Sequence, residues 1–406
     1  MYDGSCAVTA GDAVETLAED MPVSHRRALF VTTVPITLEA FLVPFARHFR
    51  GEGWRVDALA NGATSCEPIA SEFDERFDVA WSRNPLAPGN LFGTACTVRE
   101  IVTAGGYDIV HVHTPVAAFV TRFALRSVRK HSPRAVVIYT AHGLHFYRGG
   151  SPLRNLVFRT MERLAAPWTD YLVTINAEDF DAASSLGGIA PSRVRLIPGI
   201  GVDPARFERS PVAEEIRAHV RTELGVPDDA FVLAMVAEFG PVKRHAFVLD
   251  ALSAADPRIV LLLVGDGPLE SQVRDRVTAL GLSDRVRFAG YRRDVPDLLT
   301  ASDALVLASE REGLNRSVLE AMAAGKAVIG TDTRGIADAV GPDAGWIVPK
   351  HDVNALAGAM SAAAADPAET ARRGAAGRER VASRFALARI IDAYEELYRE
   401  ALASRV

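Results

Sequence analysis

Cysteine is scarce in this 406-residue chain. Cys6, Cys66 and Cys96 are the three present, and their spacing matches no metal-ligand pattern. That excludes a disulfide-stapled scaffold and points to a reduced cytoplasmic protein. No stretch of about 18 apolar residues occurs, so no membrane-spanning helix is expected. The start of the chain lacks a basic segment followed by an apolar one, so no secretory signal is expected. Residues 1–23 carry five acids and no Lys or Arg, and read as a flexible acidic tail. Net charge is −6, so the basic excess of a nucleic-acid binder is missing too.

What is present is a globular composition, with 49% hydrophobic and 24% charged residues. The length suits two domains. Residues 24–200 hold 19 basic and 15 acidic side chains, a net of +4, so the second half is acidic. A basic first domain suits a phosphate-bearing acceptor or an anionic membrane surface, although ordinary solvated helices would carry the same charges.

Apolar runs alternate with amphipathic stretches in two series. The first places strands at Ala28–Thr33, Arg55–Ala60, Asp108–His113, Ala135–Ala141, Tyr171–Ile175 and Val194–Pro198. The second places them at Phe231–Ala237, Ile259–Val264, Val286–Ala289, Ala304–Ala308, Ala327–Gly330 and Trp346–Val348. Helices fall between them, for example Leu38–Arg50, Pro115–Lys130, Leu153–Ala165, His245–Ala254, Leu269–Leu280 and Ser317–Ala324. Continuous apolar strands such as Ile259–Val264 belong inside parallel sheets covered on both faces. The fold class is therefore α/β, with two Rossmann-like doubly wound domains facing across a cleft. The expected division is 24–205, 206–386 and a last helix from 387 onward, with a Gly- and Pro-rich hinge near Pro198–Pro211.

Ligands of open parallel sheets bind beyond the carboxyl ends of the strands, so the loops after strands are where chemistry is sought. Glu238 to His245 offers a glycine, then Lys243 and Arg244 at a helix start, which suits a diphosphate as well as it suits a plain charged loop. Gly265 and Gly267 flank a turn that can approach a ligand closely. Tyr291 and Arg292 follow the third strand and could meet a nucleobase. Ser309 to Gly325 places Glu312, Gly313, Leu314 and Asn315 before a small-residue helix that carries Glu320. Two glutamates eight apart recur by chance; the position after a buried strand is what marks these. Carboxylates accept hydrogen bonds from sugar hydroxyls. His111, His113, His142 and His145 follow strands of the first series without acids at metal-ligand spacing, so hydrogen-bonding or structural roles fit them better than a metal.

Taken together, these residues resemble the family 4 retaining glycosyltransferases, which have the GT-B fold. The resemblance runs from about residue 26 nearly to the end. It rests most on Glu312-Gly313-Leu314 with Glu320, then on Val264 to Pro268, on Ile197 to Phe207, and on Thr140-Ala141-His142-Gly143. The run from Thr140 to Tyr147 is similar to a branch found in capsule, exopolysaccharide and O-antigen synthesis. The resemblance implies a nucleotide-sugar donor, most often UDP-linked, with no metal or other cofactor. It implies that Glu312, Lys243 and His142 serve at the reacting centre. Arg244, Gly265, Gly267, Tyr291, Arg292, Gly313, Leu314, Asn315 and Glu320 would bind the donor, with Glu320 on the ribose and Lys243 on the diphosphate. It also implies a last helix, about Leu387–Ala403, crossing back to the first domain.

Two departures stand out. Glu238 occupies a position where many members have Arg, so Arg244 or another cation would have to compensate. Thr33 to Thr37 replaces a glycine-rich loop. Arg122, Arg126, Arg129, Lys130 and Arg134 on one candidate helix, with Arg154, Arg159 and Arg163 on another, suggest a basic face for anionic lipid. The acceptor expected is a glycan or lipid-linked glycan at the inner face of the membrane, or a soluble natural product. A nucleotide-sugar 2-epimerase or a non-catalytic nucleotide-sugar-binding protein would share the architecture. The Ala- and Arg-rich composition fits a bacterium of high GC content.

Overall fold

A computed structural model of the chain describes residues 26–81, 86–127, 135–208 and 210–404. The expected acidic tail, and Arg129, Lys130 and Arg134, lie outside these residues. The first sheet holds β1 (Arg27–Val31), β2 (Arg55–Ala60), β3 (Arg76–Asp78), β4 (Ile109–Val112), β5 (Val136–Ala141), β6 (Tyr171–Thr174) and β7 (Val194–Leu196). The second holds β8 (Phe231–Val236), β9 (Ile259–Val264), β10 (Val286–Gly290), β11 (Ala304–Leu307), β12 (Ala327–Thr331) and β13 (Gly345–Val348). Both are parallel, in the orders β3-β2-β1-β4-β5-β6-β7 and β10-β9-β8-β11-β12-β13. The expected two-sheet α/β architecture is what forms.

β3 escapes sequence reading. It is a three-residue edge strand, Arg-Phe-Asp, with no fully buried residue, so it has no apolar run to betray it. The helix expected at Leu38–Arg50 starts at Pro35 and passes through a π-helical turn, Leu38–Leu42, before Val43–Gly51. The helix expected at Pro115–Lys130 ends at Leu125, with a turn at Arg126 and Ser127.

Strand composition explains the layering. Ile259–Val264 is buried along its whole length, as a central strand with helices on both faces must be. The helix Leu387–Ala403 leaves the second sheet and buries Ile390, Tyr394, Leu397, Tyr398 and Ala401 in the same core as Phe30, Phe49 and Ile109. Polar groups fix its register. The Tyr398 hydroxyl shares a 2.6 Å hydrogen bond with His111 Nδ1, His111 Nε2 meets Thr140 Oγ1 at 2.8 Å, and Tyr394 meets the same Thr140 at 3.0 Å.

The chain crosses between the sheets at two places that touch. Val202 N–H donates to Phe385 O (2.9 Å), and Leu387 N–H donates to Val202 O (2.8 Å). Gly201 at φ +74° makes this possible. A Cβ there would lie 2.6 Å from Leu387 Cα, closer than packed atoms tolerate.

Candidate active site

In both sheets the strand order reverses beside a central strand: between β1 and β4 in the first, between β8 and β11 in the second. Loops leaving such a pair diverge and open a crevice. In the second sheet these loops run from Ala237 to Arg244 and from Ala308 to Asn315. Glu310 N–H donates to Val242 O (2.8 Å), which holds them together. Facing them are the segments after β1, β5, β6 and β7. The crevice has two parts, cavities of about 520 Å³ and about 480 Å³. Both are lined by Val236, Ala237, Glu238, Arg316 and Glu320, so they form one continuous cleft.

The smaller part holds the charged centre. Lys243 Nζ donates to Glu312 Oε1 at 2.7 Å, with both side chains largely buried. The helix Arg316–Ala323 opens beside them, capped by Asn315, whose Oδ1 accepts from Val318 N–H at 3.1 Å. The N–H groups of Gly313, Leu314 and Asn315 donate to no protein acceptor among the described residues. A helix start with free N–H groups is an anion site, and the Lys243 ammonium lies beside it, balanced by the Glu312 carboxylate.

Gly313 also brings the two halves together. Asn176 Nδ2 donates to Gly313 O at 3.1 Å, and a Cβ on Gly313 would lie 1.9 Å from His142 O. His142 forms the opposite wall, stacked on His113 and sharing with it a 3.0 Å hydrogen bond between His142 Nε2 and His113 Nδ1. Burial holds the His142 imidazole neutral, its pKa lowered to about 4. His113 is also pushed down by burial, and by its neighbours His111 and His142.

In the larger part, Glu320 is buried at 8% exposure and accepts from Arg316 Nε at 2.8 Å. Arg316 reaches across the cleft to donate to Ala40 O at 2.7 Å. Gly265, Tyr291 and Arg292 line this part, as do Arg206 and Arg293. Tyr291 is 64% exposed, a flat ring with no covering.

The structure brings together Lys243, Glu312, Gly313, Leu314, Asn315, Glu320, His142, Gly265, Tyr291 and Arg292. Three expectations need correction, those for Arg244, Gly267 and Arg122. Arg244 lines neither cavity. Its backbone is left-handed (φ +56°), and the side chain turns to Lys350 O (2.6 Å) and to the face of Phe247. Gly267 packs on the Phe239 backbone instead of lining the cleft. Asn315 lines the smaller cavity as expected, with its side-chain oxygen capping the helix and its backbone N–H left open. Arg292 lines the larger cavity as expected; its guanidinium is paired with Asp294 and Glu223, so what it offers a ligand is its backbone. Arg122 is not on a basic face either: it is 1% exposed, paired with Glu162 and set over Tyr139.

Sequence reasoning gives no role to Arg316, Arg206 or Arg293, which come from three separate segments of the second half and meet only in the folded cleft. Glu238 sits at the junction of both cavities and makes no ion pair among the described residues. Arg316 also lines both cavities. Where a glycine-rich loop is missing, Thr33 N–H donates to Thr114 Oγ1 (3.0 Å) and fastens the loop after β1 to the loop after β4.

Known proteins share this architecture. Residues 217–380 match the family described as "Glycosyl transferases group 1", and residues 38–206 match "Glycosyltransferase Family 4". EpsD of Bacillus subtilis (strain 168), named a glycosyltransferase, is 33% identical over 381 residues, 92% of this chain and 96% of that protein. The Escherichia coli UDP-Gal:alpha-D-GlcNAc-diphosphoundecaprenol alpha-1,3-galactosyltransferase is 29% identical over 56% of this chain and 59% of its own. The crystal structure of Anabaena HepE with UDP and glucose superposes with a TM-score of 0.76 at 23% identity, covering 92% of this chain and 99% of that one. With a cleft at the switch points of two parallel sheets and a relative of this identity along nearly its whole length, the chain belongs to glycosyltransferase family 4 and has the GT-B fold.

Proposed function

We propose that the protein transfers a hexose or N-acetylhexosamine from a UDP-sugar to a hydroxyl of a lipid-linked glycan, with retention of anomeric configuration, during cell-surface polysaccharide synthesis. The observation that carries this reading is the Lys243–Glu312 pair beside the open N–H groups of Gly313 to Asn315, with buried Glu320 where the two cavities join. The similarity to the Escherichia coli UDP-Gal:alpha-D-GlcNAc-diphosphoundecaprenol alpha-1,3-galactosyltransferase supports a UDP-linked donor and a diphosphate-lipid acceptor.

The base stacks on Tyr291, and the free oxygen of Glu320 accepts from the ribose. The diphosphate lies between Lys243, Arg316 and the helix start. Glu312 and His142 hold the donor sugar from opposite sides. The bond from the anomeric carbon to the diphosphate oxygen breaks, and a bond from that carbon to the acceptor oxygen forms on the same face. The acceptor's proton goes to the leaving phosphate. The positive charge of Lys243 and the helix N–H groups stabilises the negative charge growing there, as an oxyanion hole does. This chemistry needs no metal. Closure of the cleft keeps water from the activated sugar.

A panel of UDP-, GDP-, ADP- and dTDP-sugars tests the reading. UDP-sugar is expected to raise the melting temperature and to be hydrolysed slowly, with EDTA without effect. Lys243→Ala is expected to lower turnover on the order of 10²-fold, similar to losing one oxyanion donor. Near-normal turnover in that variant, or an epimer formed from donor alone, overturns the assignment.

A further inference from the structure

The helix Pro152–Ala165 faces the wrong way for a helix of a water-soluble surface. Leu153, Leu156, Val157 and Leu164 recur at helical spacing on one stripe, and they are 73%, 63%, 47% and 57% exposed. Its inward face carries Phe158, packed on His145, and Glu162, which accepts from the buried Arg122. Besides this inward face, the helix thus carries a second apolar stripe on the side where a helix packed on a core normally carries polar residues. Arginines border the stripe: Arg154 on one side, Arg159 and Arg163 on the other. None of the three pairs with an acid among the described residues, and the helix's single acid, Glu162, points inward.

We propose that this helix lies in the surface of an anionic lipid bilayer, with the apolar stripe among the acyl chains and the arginines at the headgroup phosphates. Exposed apolar area on this scale marks an interaction site. An apolar stripe bordered by cations is the pattern of helices that lie in the membrane interface, where arginine stems follow the apolar surface while their heads stay with the phosphates. A second copy of the chain fits less well. A two-fold contact through this stripe would set arginine rows against each other.

The helix is tied to the cleft. Asn155 Oδ1 accepts from Tyr147 N–H (3.3 Å), and Asn155 Nδ2 donates to Tyr147 O (2.8 Å). Tyr147 belongs to the loop that begins at His142, on the cavity wall. A bilayer under the helix therefore lies on the side of the cleft from which a lipid-linked hydroxyl arrives. This rests on the proposed lipid-linked acceptor.

The full chain is sedimented with vesicles of phosphatidylcholine alone or mixed with phosphatidylglycerol, at low and high salt. Binding is expected only to the mixed vesicles and to weaken with salt. Leu156→Ser with Leu164→Ser, both exposed and so harmless to folding, is expected to lower partitioning on the order of 100-fold. Arg154→Gln, Arg159→Gln and Arg163→Gln together are expected to remove the salt-sensitive part. Unchanged binding in the serine variant overturns the proposal. So does lipid-free dimerisation that the serine variant abolishes, which gives the face to a second copy. Slow hydrolysis of UDP-sugar in detergent-free buffer reads the donor site separately. It is expected to be equal in all these variants, and its absence from the wild type would strike the enzymatic reading and not the membrane one.

Discussion

His111 lies in β4, His113 and His142 follow β4 and β5, and the three touch in series, with ring centroids 4.1 Å and then 5.2 Å apart. Burial lowers all three, His111 to about 3 and His142 to about 4. They stay neutral in the folded chain while the unfolded chain takes up protons below about 6.5. Their contribution to stability is therefore complete above that pH and is lost as pH falls from 6.5 toward 4, by about 1.4 kcal/mol per pH unit for each imidazole. Urea denaturation across this range is expected to show the loss, and His142→Asn is expected to make it shallower; an equal slope would refute the assignment. Gly313 makes a second residue-scale claim. Gly313→Ala is expected to cost about 1–3 kcal/mol through forced packing against His142 O and to abolish stabilisation by UDP. Calorimetry with and without UDP reads both effects. The Glu312 to Glu320 segment was legible in the sequence because strand, loop and helix start each left a mark there. The direction of Arg244 was not. A left-handed backbone at a non-glycine residue turns that side chain away, and spacing carries no trace of it.

Among elements, the helix Leu387–Ala403 was read to its bounds, since Ile390, Tyr394, Leu397 and Tyr398 repeat at helical spacing. Its partner could not be read from periodicity; the family resemblance supplied it. The His111–Tyr398 bond, formed 287 positions apart, is the kind of contact that only folding reveals. Tyr398→Phe leaves a buried imidazole nitrogen without its partner and is expected to cost about 1–3 kcal/mol, measured by urea denaturation, with the packing of the ring retained. The basic helix at Pro115–Leu125 misled for the opposite reason. Charge on a helix reads as exposure, yet Arg122 is buried because Glu162 and Tyr139 both reach it. β3 left no signal, being too short and too exposed to carry an apolar pattern.

Across the whole molecule, the two halves are latched beside the cleft. Arg334 donates to Asp179 Oδ1 (2.6 Å), to Leu144 O (2.8 Å) and, within its own half, to Glu312 O (2.9 Å). Ala177 N–H donates to Asp338 Oδ2 at 3.0 Å. Asp179 is fully buried, and desolvation pushes its carboxyl upward against the pull of Arg334. Removing one partner of a buried pair costs about 3–5 kcal/mol, since the other is left uncompensated. Arg334→Ala is expected to unlatch the halves and enlarge the radius of gyration in solution scattering; an unchanged radius would mean that the hinge alone sets the closure.

The touching crossovers at Val202 and Phe385 to Leu387 have a consequence for the order of synthesis. The second sheet is encoded inside the first half, not after it. On the ribosome, the residues of β8 to β13 emerge and can close their own core while Phe30, Phe49 and Ile109 still wait for Tyr394 and Tyr398. The half made first is thus the half finished last.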